Sequence, residues 1–397
     1  MKKKKVVLAF SGGLDTSYCA VYLGKEKNYD LYTALVNTGG FSENEIQKTE
    51  EQASSLGIQN HTCLDVTGQY YQKGIRYLIY GNVLKNNTYP LSVSAERVFQ
   101  AVAIANYAIE IGADAIAHGS TGAGNDQVRF DLVFNVLAPE LEIITPIRDQ
   151  KLSREEEVSY LEKNGIKQEW AKAKYSVNKG LWGTSVGGAE TLTSNLPLPE
   201  EAWPQKVTKC DTRTIELGFE NGEPVSIDGK SDSPVEIIKK LQEIAGPYGV
   251  GRDIHVGDTI IGIKGRVGFE AAAAMIILKA HEQLEKHILG KWQIYWKDQL
   301  ANWYGMMMHE GQYLDPVMRN IESFLESTQK YVTGTAIIKL APHRFEISGI
   351  ESDYDLMQSE FGQYGEMNNA WSGEDVKGFT KILANSTLIQ KEVQNED

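Results

Sequence analysis

The stretch that decides the fold of the first part of the chain is Lys5-Val6-Val7-Leu8-Ala9-Phe10-Ser11-Gly12-Gly13-Leu14-Asp15-Thr16-Ser17. Residues 5–10 form a β-rich run, and apolar residues recur at helical spacing from Leu14 to Lys25. The two glycines between these segments let the backbone approach an anion, and the first amides of the helix point at that anion. The pattern therefore predicts a strand, a loop that cradles a pyrophosphate group, and a helix.

This loop differs from two better-known phosphate-binding motifs. No Gly-Lys-Ser/Thr follows the glycines, so it is not a Walker loop, and the third glycine of the dinucleotide-binding fingerprint is missing. A plain Gly-Gly turn with a Ser-capped helix is the structural alternative. The complete seven-residue string after a strand favours the phosphate loop.

The first third of the chain alternates predicted strands with predicted helices. The strands are Lys5 to Phe10, Leu31 to Asn37, His61 to Val66, Ala113 to His118 and Leu141 to Pro146. The helices are Leu14 to Lys25, Glu43 to Leu56 and Ser94 to Ile111. This alternation indicates an α/β fold with a parallel, doubly wound sheet, whose ligands bind at the carboxyl ends of the strands.

Three segments are predicted along the chain. Residues 1–167 form the nucleotide-binding domain, which ends after a helix opened by the capping box Ser153-Arg154-Glu155-Glu156. Residues 168–372 have Gly-rich turns, short alternating strands and one long amphipathic helix from Ala271 to Leu289, so we expect a second, α+β domain. Residues 373–397 are expected to form a C-terminal helix and a polar tail.

Composition limits the classes of partner and compartment. The 40 basic and 53 acidic side chains give a net charge of −13, which disfavours a nucleic-acid backbone as the main partner and favours small substrates. The three cysteines, Cys19, Cys63 and Cys210, form no C-x-x-C pair, so neither a zinc site nor a disulfide framework is predicted. No apolar run is long enough for a membrane span. We therefore expect a cytoplasmic protein without a membrane partner.

Further motifs lead to a specific family. The Ser-Gly-Gly-x-Asp-Ser/Thr string resembles the PP-loop ATP pyrophosphatases, which cleave ATP between its α and β phosphates. His118-Gly119-Ser120-Thr121-Gly122-Ala123-Gly124-Asn125-Asp126-Gln127-Val128-Arg129-Phe130 is similar to a segment of argininosuccinate synthases, and Tyr89-Pro90-Leu91 matches the start of another. Weaker similarities continue to Gly378-Phe379. The resemblance implies an ATP-dependent, AMP-forming ligase of arginine biosynthesis that adenylylates the ureido oxygen of citrulline and joins it to aspartate.

The resemblance also implies roles for individual residues. ATP would be bound by Ala9, Phe10, Ser11, Gly12, Gly13, Leu14, Asp15, Thr16, Ser17, Val36 and Gly119. Aspartate would be bound by Thr121, Asn125 and Asp126, and citrulline by Tyr89, Ser94, Asn125, Arg129, Ser176 and Ser185. We expect Asp15, Asp126 and Arg129 to be catalytic. Ser94 could equally be the N-cap of the following helix, and Asp15 a helix-start acid favoured by the helix dipole.

The cofactor and assembly predictions follow from the same reasoning. Charge that spreads over phosphates during the reaction calls for Mg²⁺ with ATP, and Asp15 is a candidate to contact either. No residue set is predicted to hold a metal by itself, and no tightly bound prosthetic group is expected. The resemblance implies a homotetramer.

The sequence departs from the family pattern at three positions. Ala123 replaces a lysine in the Gly-rich segment, Gly257 stands where a citrulline-contacting glutamate is expected, and Phe269 replaces a tyrosine. Asp258 could compensate if the alignment slips by one residue. Loss of the glutamate would leave an α-ammonium poorly paired, so an N-acetyl or N-succinyl citrulline is an alternative substrate. Free citrulline is the plainer interpretation.

Two alternatives belong to other functional classes. PP-loop enzymes that modify tRNA share the phosphate loop, but they need a basic surface and, for thiolation, reactive cysteines. A nucleotide sensor without catalysis would bind ATP but release no pyrophosphate in response to aspartate. The acidic charge and the Thr121 to Arg129 segment favour the ligase.

Overall fold

The computed structural model describes residues 3–166, 170, 174–362, 364–366 and 370–394. Its strands are β1 Lys5–Ala9, β2 Asp30–Asn37, β3 Asn60–Asp65, β4 Ala115–Ala117, β5 Glu142–Ile144, β6 Ser176–Gly180, β7 Gly183–Gly187, β8 Arg213–Glu220, β9 Glu223–Ile227, β10 Lys230–Ser231, β11 Arg252–Asp258, β12 Lys264–Glu270, β13 Gly334–Ala341 and β14 Arg344–Glu351.

The α-helices are α1 Leu14–Val21, α2 Glu43–Ser55, α3 Thr67–Tyr70, α4 Arg76–Tyr80, α5 Ser94–Glu110, α6 Asp126–Leu137, α7 Pro146–Gln150, α8 Arg154–Lys163, α9 Pro234–Ala245, α10 Ala272–Ile288, α11 Lys291–His309, α12 Pro316–Thr328, α13 Gly373–Leu383 and α14 Asn385–Gln394. Two π-helical turns, Tyr22–Glu26 and Tyr71–Ile75, continue α1 and join α3 to α4.

A parallel sheet with the strand order β3-β2-β1-β4-β5 forms the first layer of the fold. Val6 and Leu8 pack on one face with α1 and Leu161 of α8, whereas Val7 packs on the other face with α5. All three β1 side chains are fully buried, as expected for a central parallel strand covered on both faces. The predicted α/β class and each of the five predicted strands are confirmed.

Two antiparallel sheets build the rest of the molecule. One has the order β11-β12-β7-β6, and the other has the order β10-β9-β8-β13-β14. The prediction of one long helix in this part was incomplete, because α9, α11 and α12 accompany α10. α9 and α12 each begin with a proline at the first turn after a side-chain cap, Ser233 or Asp315.

Helices of the second part anchor the turn that leads from α4 to Tyr89. Asn82 donates a hydrogen bond to Glu285 Oε2 at 2.6 Å and faces His281 Nδ1 at 2.6 Å. Lys297 Nζ contacts the same Glu285 oxygen at 3.0 Å, and both charged side chains are buried. Because this ion pair is buried, removing either partner would leave the other as an unpaired charge away from water.

The C-terminal end is an arm made of α13 and α14. Ser372 and Asp375 form a capping box at its start. Every described residue from Trp371 to Gln394 is exposed, including Phe379 at 64%, Ile382 at 71% and Val393 at 75%. The arm therefore presents its apolar residues to solvent in the single chain.

Candidate active site

A cleft of about 1050 Å³ lies at the carboxyl ends of β1, β2 and β4. Its wall contains these residues with a predicted role: Ala9, Phe10, Ser11, Gly12, Gly13, Leu14, Asp15, Thr16, Val36, Gly119, Thr121, Asp126 and Ser176. Tyr89, Ser94, Asn125, Arg129 and Ser185 are not part of this wall, and Ser17 is buried behind it. The structure thus brings most of the nucleotide set into one cleft and places most of the citrulline set beside it.

The loop after β1 is braced from a neighbouring helix. Gly12 has a φ of +75°, which a residue with a side chain rarely adopts, and Gly13 precedes α1 in an extended conformation. Gln52 of α2 donates from Nε2 to the Gly12 carbonyl at 2.7 Å and to Ser17 Oγ at 3.0 Å. The loop and the first amides of α1 are therefore held in place before any anion binds.

Gly119 lies directly against the start of α1. A Cβ atom at this position would be 3.2 Å from the Asp15 carbonyl carbon and 3.3 Å from Thr16 N. Ser120 N donates to His118 Nδ1 at 3.2 Å, so His118 Nε2 carries the proton that faces Asp131 Oδ1 at 2.8 Å. A short, hydrogen-bonded loop after β4 thus closes one side of the phosphate loop.

Asp15 has an acidic neighbour beneath it. Glu157 of α8 is buried, and its Oε2 has no hydrogen-bond partner among the described residues. Burial first, and then the charge of Asp15, raises the pKa of Glu157 to about 8. Glu157 therefore holds its proton near neutral pH.

Asp126 lies between two arginines. Its Oδ2 accepts from Arg97 Nε at 3.2 Å, and its Oδ1 accepts from Arg129 Nη1 at 2.8 Å. The two guanidinium groups keep the pKa of the Asp126 carboxyl below its usual range although burial opposes them. Asp126 therefore stays ionised and available to a cationic group.

Arg129 is held on its other side by α11. Its Nε donates to the His309 carbonyl at 2.8 Å, and its Nη2 lies 3.4 Å from His309 Nδ1. Burial, together with the Arg129 charge, lowers the pKa of His309 to about 2, so this imidazole is neutral. The helix α6 begins at Asp126, and Arg129 lies one turn further along it, so both side chains are positioned by the same helix.

Asn125 joins this region to the second part of the chain. Its Oδ1 accepts from Ile260 N at 2.8 Å, in the turn between β11 and β12. Ala123, in contrast, is exposed in the preceding loop, and Gly124 has open space around it. The tip of the β11–β12 hairpin therefore covers one end of the aspartate-binding segment.

Tyr89 is buried in an aromatic group beside the cleft. Its ring stacks on His255 at 5.2 Å between centroids and contacts Phe269 edge-on at 5.5 Å. The Tyr89 hydroxyl accepts from Val93 N at 3.1 Å and from Ser92 Oγ at 3.3 Å. Phe269, the residue in place of a family tyrosine, is thus a packing partner of Tyr89.

The space beside Gly257 is not vacant. A Cβ atom there would lie 2.7 Å from His255 Nε2 and 3.2 Å from Asn86 Nδ2, so these side chains occupy the position of a longer side chain. Burial, and then the Lys85 charge, lowers the pKa of His255. Asp258 is exposed and pairs with Lys264 at 2.6 Å. Neighbouring side chains therefore fill the space beside Gly257, and Asp258 already has a charged partner.

The serines predicted for citrulline have different surroundings. Val93, not Ser94, is the N-cap of α5, and Ser94 makes no capping hydrogen bond, so the capping alternative is wrong. Ser94 Oγ is buried and has no hydrogen-bond partner among the described residues, as expected for a group that awaits a ligand. Ser176 is exposed at the start of β6, and Ser185 is buried on β7 opposite Phe269.

Comparison with known proteins gives the family. Residues 5–167 match the model of the arginosuccinate synthase N-terminal HUP domain, and residues 175–390 match that of the arginosuccinate synthase C-terminal domain. The chain belongs to the argininosuccinate synthase family. The argininosuccinate synthase of Methanocaldococcus jannaschii is 38% identical over 363 residues, which cover 91% of each chain.

Two further argininosuccinate synthases extend the similarity over nearly all of the chain. That of Dictyoglomus thermophilum is 38% identical over 388 residues, 96% of each chain. That of Xylella fastidiosa is 35% identical over 405 residues, 99% of this chain and 98% of the relative. The family and the ligase class predicted from the sequence motifs are confirmed.

Several residues of the site were missed by sequence reasoning. They are Gln52, Glu96, Arg97, Glu157, Asn178 and His309. Each lies far along the chain from its partner or inside a helix, where a polar residue resembles an ordinary surface position. Only the spacing of Glu96 and Gln100, one helical turn apart, was available as a sequence signal.

Proposed function

We propose that this chain catalyses the synthesis of argininosuccinate from citrulline, aspartate and ATP. The ureido oxygen of citrulline attacks the α-phosphorus of ATP, and pyrophosphate leaves. The amine of aspartate then attacks the ureido carbon, AMP leaves with the oxygen, and the amine loses a proton. The observation that carries the proposal is that a braced phosphate loop and the Asp126 ion-pair cluster share one cleft in a chain of this family.

ATP is assigned to the loop between β1 and α1. The amides at the start of α1 and the glycines of the loop suit the α and β phosphates, because they supply donors without a side chain in the way. Val36 and Gly119 line the same cleft and complete the nucleotide set. Ser17 lies behind the cleft wall, where it accepts a hydrogen bond from Gln52, the residue that braces the phosphate loop.

Mg²⁺ is assigned to the bound nucleotide. Within the described ranges, no group of three or more His, Cys, Asp or Glu side chains could hold a metal ion. Mg²⁺ commonly binds through one or two carboxylates together with substrate phosphates, and the Asp15 carboxyl in the cleft suits that arrangement. When bound, Mg²⁺ would neutralise charge on the phosphates.

Aspartate is assigned to Thr121, Asn125 and Asp126. The ionised Asp126 is suited to the ammonium group of the substrate, and the Thr121 hydroxyl in the cleft wall is suited to a carboxylate. Citrulline is assigned to Tyr89, Ser94, Asn125, Arg129, Ser176 and Ser185. Because Arg129 is paired with Asp126 and His309 in the free chain, binding of citrulline has to share or replace these contacts. Catalysis then rests on positioning and charge stabilisation by Asp15, Asp126 and Arg129, without a covalent nucleophile.

The alternatives have less support. The occupied space beside Gly257 removes the structural argument for an acyl group at that point. The match of both parts of the chain to argininosuccinate synthases does not favour a tRNA-modifying enzyme or a nucleotide sensor.

A homotetramer is proposed from the resemblance, and the exposed arm supports association of copies. Trp292, Trp296 and Trp303 on α11 are also exposed and lie near one side of that helix. The boundary at 167/168 stays a proposal supported by the matched ranges, and it falls among residues outside the described ones. No described helix is long and apolar enough to cross a membrane. A cytoplasmic location stays a prediction from the cysteine pattern.

The test is pyrophosphate release by the purified protein with Mg²⁺-ATP and aspartate, with citrulline, N-acetylcitrulline and N-succinylcitrulline compared in parallel. We expect free citrulline to give by far the highest kcat/KM. A higher value for an acylated form would overturn the choice of substrate, and release that does not depend on aspartate would overturn the ligase reaction.

A further inference from the structure

The Glu96 carboxyl is buried under the β6–β7 hairpin. Glu96 is the third residue of α5, and its side chain is only 1% exposed. Its Oε1 accepts from Arg97 Nη1 at 3.3 Å and from Gln100 Nε2 at 3.1 Å, whereas Oε2 has no hydrogen-bond partner among the described residues. A Cβ atom on Gly180 would collide with Oε2, so the carboxyl is pressed against the hairpin backbone.

Arg97 connects this carboxyl to the aspartate-binding segment. Its Nε donates to Asp126 Oδ2 at 3.2 Å, and its Nη2 donates to Asn178 Oδ1 of β6 at 2.9 Å. Its Nη1 donates to Glu96 and, at 2.8 Å, to Gln100. One guanidinium group is therefore shared between two carboxylates, Glu96 and Asp126.

The charges around Glu96 balance only when it is ionised. Arg97 and Arg129 carry two positive charges, and Asp126 and ionised Glu96 carry two negative charges. Burial first, against the opposing effect of Arg97, raises the pKa of Glu96 to about 7. Protonation of Glu96 thus neutralises, close to physiological pH, one of the two carboxylates that share Arg97.

Several other polar and charged groups lie near Glu96. The Thr38 side chain lies close enough to lower the pKa of Glu96, and Asp126 raises it. Tyr70 of α3 interacts with Glu96, and burial raises the pKa of its phenol well above the usual range. Lys179 of β6 lines the same cleft.

We propose that Glu96 is a positioning residue for aspartate: by sharing Arg97 with Asp126, it keeps the Asp126 carboxylate free to receive the substrate ammonium. This inference rests on the proposed function and assigns a role to a residue that does not itself touch the substrate. When Glu96 loses its charge, Arg97 pairs more fully with Asp126 and competes with the ammonium. Affinity for aspartate falls, while the phosphate loop, more remote in the network, keeps its affinity for ATP.

The experiment compares E96Q with wild type and with E110Q, an exposed glutamate at the end of the same helix. Steady-state pyrophosphate release is measured from pH 6 to 8.5, with aspartate and ATP varied separately. We expect E96Q to raise the KM for aspartate about tenfold, the size of coupling common between charges in one network, with the KM for ATP within about twofold. Wild-type kcat/KM for aspartate should fall as pH decreases through about 7, and E96Q should lose this limb.

Each outcome is decisive. An E96Q profile identical to that of E110Q, or an equal loss for all substrates with a lower Tm, overturns the positioning role. If E96Q does not fold, E96D replaces it: a retained pH limb with a shifted midpoint supports the role, and a flat profile contradicts it. Inactive wild-type protein would instead overturn the proposed function.

Discussion

Gln52 on α2 and Gly12 in the phosphate loop are joined by a hydrogen bond of 2.7 Å from the side-chain amide to the backbone carbonyl. A second bond from the same nitrogen reaches Ser17 Oγ at 3.0 Å. The positive φ of Gly12 is therefore supported by a helix that contributes no phosphate ligand of its own. This support lets the loop keep its shape between catalytic cycles.

We expect Q52A to raise the KM for ATP several-fold and to lower stability by about 1–2 kcal/mol, because a buried carbonyl loses its partner. The KM for aspartate should change little. Q47A is the matched control, since Gln47 lies on the same helix, is exposed and donates to the exposed Glu51 at 3.0 Å. Equal KM values for ATP in the two variants would contradict the bracing role.

G119A tests the close approach of the two loops. The added Cβ would be 3.2 Å from the Asp15 carbonyl carbon, so the phosphate loop must shift by a few tenths of an ångström. Because small misplacements of reacting groups are costly, we expect kcat/KM for ATP to fall about tenfold or more. G124A, in the same loop but with no atom within 4 Å of its Cβ, should behave as wild type. A G119A enzyme with wild-type ATP kinetics would show that the contact is not important.

Y89F removes the acceptor of the Val93 amide, which lies at the start of α5. A buried N–H group left without a partner costs about 1–3 kcal/mol, and the adjacent Ser94 should lose its position. Urea denaturation and the KM for citrulline measure the two effects. Y331F is the control, since Tyr331 is half exposed and its ring packs on Tyr354. An unchanged KM for citrulline would remove Tyr89 and Ser94 from the citrulline set.

The Asp15–Glu157 pair predicts a pH dependence of stability. Burial and the Asp15 charge raise the pKa of Glu157 to about 8 in the folded chain, whereas an unfolded glutamate titrates in the ordinary carboxyl range. The folded state therefore binds the extra proton, and stability falls as pH rises from about 4.5 to about 8.

We expect E157Q to remove this pH-dependent loss, which for a pKa raised from about 4.5 to about 8 is on the order of 5 kcal/mol. The free energy of unfolding is measured by urea denaturation at several pH values between 5 and 9. E162Q, an exposed position on the same helix, should keep the wild-type pH dependence. Parallel curves for wild type and E157Q would show that Glu157 has no raised pKa in the folded chain.

The parallel sheet could be predicted from the sequence because its strands are short apolar runs separated by turn residues. β1 is apolar along both faces and is followed directly by the loop that binds phosphate, so local sequence and global fold agree there. The helix from Thr67 to Tyr80 was not predicted. Its mixed polar and tyrosine-rich sequence, interrupted by Gly68 and Gly74, shows no clear helical periodicity. The segment is helical because Tyr70 and Ile75 pack in the core, which outweighs local propensity.

The candidate site was predicted where it follows a linear motif and missed where it depends on tertiary contact. Two segments are contiguous in sequence and contribute most of the predicted ligand-binding residues: Ser11 to Thr16 and Gly119 to Asp126. Glu96 and Glu157, in contrast, are acids on amphipathic helices. Apart from the spacing of Glu96 and Gln100, nothing local distinguishes them from the exposed Glu110. Only burial under a hairpin or beneath Asp15 gives them altered proton affinity.

Association through the exposed C-terminal arm would make the conformation of that arm depend on protein concentration. Helices of 10 and 11 residues are marginal in water when nothing packs on them, so α13 and α14 draw little stability from their own turns. If copies associate through the arm, dilution should unwind it before the sheets unfold. Helical content and protease sensitivity between residues 371 and 394 would then report how many neighbours each chain has, independently of whether its cleft is intact.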